Sequence, residues 1–292
     1  MAQAATRKQI GVGTGKRVLA TVPLVLFMVY SLLPLFWLLV AATKNTSDLF
    51  STFGLWFSST FHLLSNLQQV FGYNGGVFIH WLINTAFYAI ASAVGASLLA
   101  TMAGYAFAKY EFRGRNALFA VVLGSIMVPQ TALVIPIYLL LSKVGLVNTP
   151  LAVILPSLVF PLGMYLMRVY AEQSVPDELI KAARVDGAGE FRIFWSIAFR
   201  LLTPGFVTVL LFSFVATWNN YFLPLVVLNN PKLYPLTVGL ASWNSLASAN
   251  GGAQVLYTLV ITGALVAVIP IIAAFLFLQR YWRGGLTLGS LN

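Results

Sequence analysis

Six runs of apolar residues divide the chain, at 18–42, 82–108, 117–141, 150–167, 201–228 and 255–278, and none holds an Asp, Glu, Lys, Arg or His in its interior. About 18 or more such residues suffice for an α-helix to cross roughly 30 Å of hydrocarbon, where every backbone polar group must be satisfied within the segment. The pattern predicts an all-α integral membrane protein with six transmembrane helices. Pro23 and Pro34, Pro129 and Pro136, and Pro156 and Pro161 fall in the first, third and fourth runs. Each removes a helical hydrogen bond, so these spans are expected to kink or unwind.

Six spans place both termini on one side. That side also receives the connections at 109–115 and 174–204 and Arg168 at the end of the fourth run, and with them every one of the 17 lysines and arginines except Lys44, Lys143 and Lys232. The excess of basic residues marks it as cytoplasmic. The connection 43–80 lies outside, and its aromatics, Phe50, Phe53, Trp56, Phe57 and Phe61, are expected to pack on the outer surface.

The insert at 174–204 is unlike the other connections. Counted from Glu172, this stretch holds five of the chain's seven acidic residues, Glu172, Asp177, Glu178, Asp186 and Glu190. Ser174 is placed to cap a short helix whose first turn holds Pro176, Asp177 and Glu178, suited to the positive end of a helix dipole. Leu179, Ala182, Ala183 and Asp186 recur at helical spacing on one face, and Gly187 supplies the C-terminal break. A second amphipathic turn follows, with Phe191, Phe194, Trp195 and Phe199 toward one side and Glu190 and Arg192 toward the other. From pattern alone this is either a docking element or a helix lying among lipid headgroups.

The order of residues adds to that reading. AARVDGAGEFRIFW at 182–195, followed by a proline-bearing span, TWNNYFLPLVVL at 217–228 and LQRYWRGGLTLG at 278–289 resemble the permeases of ATP-binding-cassette (ABC) importers. The match is to the carbohydrate-uptake branch, the binding-protein-dependent maltose and glycerol-phosphate type, and runs from Trp81 to the C-terminus. Ala182, Ala183, Asp186 and Gly187 match the family's coupling-loop motif. Lys181 stands where glutamate is usual, Phe199 and Arg200 stand where Leu-Pro is common, and Pro204 fits the later proline.

The resemblance implies a cytoplasmic tail at 1–17, a first span and external loop at 18–80, a core transmembrane domain at 81–279 with a coupling loop at 169–200, and a cytoplasmic tail at 280–292. It implies that Asp177, Glu178, Lys181, Ala182, Ala183, Asp186 and Gly187 contact an ATPase while Phe191, Phe194 and Trp195 root the loop in this subunit. The implied partners are a second, homologous permease, two ATPase subunits that bind ATP and Mg, an extracytoplasmic solute-binding protein and a carbohydrate, in a prokaryotic inner membrane. No cofactor is expected in this chain itself.

Composition narrows the alternatives. The chain is 59% hydrophobic and 8% charged, far from a soluble average. The net charge of +10 sits beside apolar runs and forms no stripe suited to nucleic acid. Cysteine is absent and His62 and His80 lack acidic neighbours at ligand spacing, so thiolate catalysis is excluded and no metal site is expected. GVGTGKR at 11–17 lacks the spacing and the Ser or Thr of a phosphate-binding loop.

What the spans hold instead is neutral polarity: Asn84, Gln130 and the cluster Thr217, Trp218, Asn219, Asn220 and Tyr221. Amides, hydroxyls and an indole face suit an uncharged polyol along a translocation pathway, and equally suit helix packing. A secondary carrier or facilitator for a neutral solute is the rival reading. A membrane-embedded enzyme would need ionisable groups that the spans lack.

Overall fold

The computed structural model describes residues 14–249 and 255–285, and every regular element among them is a helix, with no strand. The start of the N-terminal tail and the end of the C-terminal tail, with the GVG of 11–13 and the TLG of 287–289, lie outside the described residues.

The first span is α1 (Thr14–Ala42). The external connection folds into α2 (Thr46–Ser51) and α3 (Leu63–Gly72), and a left-handed turn at Asn74, Gly75 and Gly76 leads into α4 (Val77–Lys109). α1 is apolar on all sides and exposed along most of its length, and only its outer end, Val40 to Ala42, is buried. A helix with this profile faces lipid or another membrane protein.

The third apolar run is not one rod. α5 (Arg115–Ile126) ends before Pro129, and after a 3₁₀ turn at Gln130–Leu133 the chain resumes as α6 (Val134–Lys143), bent by 100° from α5. Twelve residues of α5 rise only about 18 Å, too little to cross alone. Five helices therefore qualify as spans by length and composition, or six with the bent pair counted as one.

The fourth run is longer than expected: α7 (Leu151–Ser157) and α8 (Pro161–Ser174) together cover 24 residues, because α8 continues past Met167 into polar sequence. Ser174 ends α8 and caps nothing. The helix after it, α9 (Asp177–Val185), begins behind Pro176, which has no side chain with which to cap it.

α10 (Glu190–Ile193) passes through a π-turn at Phe194–Ala198 into α11 (Phe199–Trp218), so the fifth span grows directly out of the polar insert and stops at Trp218. The remainder of the predicted run is a separate short helix, α12 (Phe222–Val227). α13 (Leu236–Ala249) lies between it and the last span, α14 (Val255–Gly285).

α4 is the spine of the bundle and packs against both α8 and α11. At Gly104 the approach leaves no room for a side chain: an added Cβ would lie 2.7 Å from the backbone nitrogen of Arg168 and 2.7 Å from Met167 Cβ. α5 is held to the same helix by Arg168, whose guanidinium sits 3.8 Å above the Phe119 ring.

At its outer end one stripe of α4 holds the segment before α13. Trp81 Nε1 donates to the Pro231 carbonyl (2.9 Å), Asn84 Nδ2 to those of Lys232 and Tyr234 (2.7 and 3.2 Å), and Tyr88 Oη to that of Leu233 (3.0 Å). Thr85 Oγ1 accepts from the Leu236 N–H (2.7 Å).

Gly104→Leu is expected to destabilise the bundle by about 3 kcal/mol, because the new side chain meets backbone that cannot move aside. Gly124→Leu on α5, with nothing within 4 Å of its Cβ position, should change stability by less than about 0.5 kcal/mol. Thermal unfolding in detergent, followed by size exclusion, compares the two.

Candidate functional site

The insert 174–204 folds as a compact body where α4 and α8 end and α11 begins. Val175, Ile180, Ala183, Ile193 and Phe194 are buried in one cluster with Tyr105 of α4, Met167 and Ala171 of α8 and Leu202 of α11. α9 therefore turns Ile180 and Ala183 inward. The face expected from spacing is split: Ala183 is buried, whereas Leu179, Ala182 and Asp186 are exposed.

α9 ends as its sequence predicts. Gly187 adopts φ +77°, a left-handed conformation that costs a residue with a Cβ about 1–2 kcal/mol. The Gly187 N–H bonds to the Arg184 carbonyl at 3.0 Å and the Ala188 N–H to the Ala183 carbonyl at 2.9 Å, the paired closure of a Schellman cap. A Cβ on Gly187 would meet nothing within 4 Å, so any crowding at this position would come from another molecule.

Two polar tethers fix the body to the end of α4. Lys109 Nζ donates to Asp177 Oδ1 at 2.7 Å, with the Lys109 side chain 7% exposed and the Asp177 side chain 63% exposed. Tyr110 Oη donates to Glu190 Oε2 at 2.6 Å, and Arg184 Nε donates to Glu190 Oε1 at 2.7 Å, closing α9 onto α10 across the Gly187 turn. The Lys109 ammonium holds the Asp177 carboxyl below its ordinary value. Asp177, read from sequence as a partner for basic groups elsewhere, is thus already engaged within the subunit.

Sequence reasoning did not single out Lys109, Tyr110 or Arg184. The signal available was a basic residue closing the second run, opposite an acidic insert.

The outward surface of this body is apolar at several points. Val185 is 88% exposed, Phe191 76% and Leu179 44%, with Glu178, Lys181 and Asp186 exposed among them. Of the three aromatics expected to anchor the loop, Phe194 is buried and Trp195 is half-exposed against Phe194 and Phe199. Phe191 stands outward, its ring edge-on to Trp195; Ile193, two residues on, is the buried neighbour.

The second set of expected residues is dispersed. Trp218 is buried and donates its indole N–H to the Ala267 carbonyl at 3.2 Å, and Thr217 is buried beside it. Trp218 thereby ties α11 to α14. Asn84 is spent on the 231–236 segment. Asn219, exposed, bonds back to the Val215 carbonyl at 2.8 Å, and the Asn220 carbonyl accepts from Thr237 Oγ1 at 2.7 Å. Tyr221 opens the break before α12, and Gln130 is exposed at the bend between α5 and α6. Among the described residues no group of three or more His, Asp or Glu side chains is placed to hold a metal.

The Lys109–Asp177 pair gives a pH signature. A carboxylate held below its ordinary value adds stability above that value and loses it as pH falls through the depressed one. Hydrogen exchange of α9 should therefore stay slow from neutral pH down through the ordinary carboxylate range and accelerate only below it. Asp177→Asn should show faster exchange already at neutral pH and a smaller change on acidification.

Residues 96–283 match the family model described as binding-protein-dependent transport system inner membrane component. The arabinooligosaccharides transport system permease protein AraQ of Bacillus subtilis is 34% identical over 270 residues, covering 91% of this chain and 93% of its own. The melibiose/raffinose/stachyose import permease protein MelC of the same organism is 31% identical over 262 residues, 89% of this chain and 91% of its own. The lactose transport system permease protein LacG of Rhizobium radiobacter is 31% identical over 267 residues, 90% and 91% respectively. Among solved structures, a chain of a bacterial ABC transporter involved in the import of the acidic polysaccharide alginate superposes with a TM-score of 0.78 over 92% of this chain and 98% of that chain, at 22% identity.

Proposed function

This chain belongs to the binding-protein-dependent transport system inner membrane components, and on that premise we propose that it is one permease subunit of an ATP-driven importer of neutral saccharides. It is a multi-pass membrane protein of a transport-permease family, and hydrolysis of ATP with Mg falls to a separate ATPase. Two such ATPase chains, a second permease and an extracytoplasmic solute-binding protein complete the assembly, in a prokaryotic inner membrane with both termini cytoplasmic.

The observation that carries the reading is the 177–195 body: rigidly tethered to α4, α8 and α11, yet presenting Leu179, Ala182, Val185 and Phe191 to the outside. An apolar surface among charges of both signs, Glu178 and Asp186 beside Lys181 and Arg192, with Arg184 paired to Glu190, fits a protein cleft better than headgroups, because a headgroup-bound helix carries predominantly basic residues around the apolar face. Seated in the ATPase, the body moves as a unit and passes that movement to α11 through the continuous helix at 190–218 and to α4 through Lys109 and Tyr110. Neutral cargo is supported by spans free of ionised side chains and by the oligosaccharide names of the relatives.

Val185→Asp places a charge on the exposed face without touching the core. It is expected to leave insertion and thermal stability unchanged while lowering recovery of ATPase with the tagged chain at least tenfold. Gly187→Trp, which adds bulk into open space, is expected to do the same at a small cost in stability. In proteoliposomes, uptake should require ATP and the binding protein. Saccharide movement by this chain alone without ATP would overturn the proposal in favour of a carrier, and normal ATP-driven uptake by Val185→Asp would overturn the docking face.

A further inference from the structure

The segment behind α1, the last turns of α3 and the start of α14 enclose a partly open cavity of about 440 Å³. Asn45, Thr46, Asn66, Gln69, Tyr73 and Thr258 line it, and no Asp, Glu, Lys, Arg or His does. An ion entering it finds no counter-charge. An aliphatic ligand would strip water from amides and hydroxyls without replacing their hydrogen bonds, at a cost of about 1–3 kcal/mol for each group left unpaired. The volume lies within the roughly 300–1,000 Å³ of small-molecule sites.

Part of the lining is fixed and part is free. Asn66, buried, donates to the Ala42 and Lys44 carbonyls (2.8 and 2.9 Å) and so ties α3 to the end of α1. Asn45 is held by the Asp48 N–H, which donates to its Oδ1 at 2.8 Å. Gln69 and Tyr73, by contrast, are exposed, and among the described residues nothing bonds to the Gln69 carboxamide or the Tyr73 hydroxyl. The Thr46 and Thr258 hydroxyls meet at 3.0 Å, a contact that uses one of their two protons and leaves the other without an acceptor among the described residues. The Tyr73 ring lies edge-to-face with Trp243, centroids 5.4 Å apart; in either sense of that contact Trp243 leaves at least one face of the Tyr73 ring uncovered. Gly72, also in the lining, has an ordinary right-handed conformation (φ −93°, ψ −19°), and a Cβ there would meet nothing within 4 Å. Neither the backbone nor crowding calls for glycine at this position. What the missing side chain does is leave the cavity open between Gln69 and Tyr73.

We propose that this cavity is a saccharide site separate from the break at 217–221, taking one ring of a neutral sugar against the face of Tyr73, with the sugar hydroxyls on Gln69 and on the free threonine proton. Amides and hydroxyls both donate to and accept from such a ligand, and an aromatic face covers its C–H side. The choice of a saccharide among neutral polar ligands rests on the importer reading above; the site itself does not.

The complex carrying this chain, purified by a tag on it and free of solute-binding protein, is probed by saturation-transfer difference NMR with arabinotriose, lactose and melibiose, and with digalacturonate as an acidic counterpart. Transfer to the ring protons of at least one neutral sugar is expected, and about fivefold less or weaker still to digalacturonate. Gly72→Trp fills the cavity and should lower the transfer about fivefold or more at unchanged thermal stability. Gln69→Leu and Tyr73→Leu, at exposed positions, should each weaken binding about threefold to tenfold, the loss of one hydrogen bond or one ring contact. Transfer to none of the neutral sugars overturns the proposal, and a photocrosslinker at Gln69 that then captures the solute-binding protein would make the cavity part of that interface. Equal transfer to digalacturonate overturns the neutral class. Transfer that all three variants leave unchanged overturns the site, placing the sugar elsewhere in the complex. Uptake by the same preparation tests the importer separately: ATP-driven uptake with unchanged transfer in the variants removes this site alone, whereas transfer lost in Gly72→Trp beside uptake without ATP keeps the site and removes the importer.

Discussion

α4 and α8 meet backbone to backbone at Gly104, and the inner half of the molecule depends on that crossing. It brings Tyr105 beside Met167 and Ala171 and forms the floor on which Val175, Ile180 and Ile193 pack. It also sets the reach of Lys109 and Tyr110, one turn further along the chain, to Asp177 and Glu190. The same helix carries the Trp81 to Tyr88 stripe at its other end. One continuous 33-residue helix therefore fixes the 231–236 segment and the 177–195 body in a single frame. A helix that long spans about 50 Å, more than the hydrocarbon thickness, and it carries one attachment near each of its ends.

Much of this was legible from sequence, for physical reasons that differ by element. Apolar runs of membrane-spanning length are a strong signal because the solvent leaves the backbone few choices, and the Gly187 stop was visible because few residues tolerate its conformation. Pro129 announced a break in the third run but not its size: a proline removes one hydrogen bond, and only packing decides whether the helix kinks or turns through 100°. Ser174 misled because a capping residue and the last residue of the preceding helix look alike when the intervening Val175 gives no sign of which side it joins.

The internal division of α9 was not legible at all. Ala182 and Ala183 are chemically identical, and which of them points inward is set by Ile180, whose burial against α8 rotates the helix. The tethers were hidden for another reason: Lys109 lies 68 residues from Asp177 and Tyr110 lies 80 from Glu190, and pairings at that separation are products of the fold. The neutral polar residues of the spans were open to two uses, and Asn84 and Trp218 donate to backbone carbonyls within the protein. A buried amide or indole N–H in a membrane protein finds a partner within the protein wherever one is near, and backbone carbonyls at helix ends are the nearest acceptors available.

The external segment held by α4 has one more property. From Asn229 to Leu236 each backbone N–H is engaged: those of Asn229 and Asn230 by the Asn148 side chain, that of Lys232 by Asn230, those of Leu233 and Tyr234 within the turn, and that of Leu236 by Thr85, while Pro231 and Pro235 have none. The carbonyls from Pro231 to Tyr234 are taken by Trp81, Asn84 and Tyr88. A protein approaching this surface finds no open main-chain edge along which to lay a strand. It can read the segment only through projecting side chains such as that of Lys232, so a change of a single residue alters what this surface offers without refolding the loop that presents it.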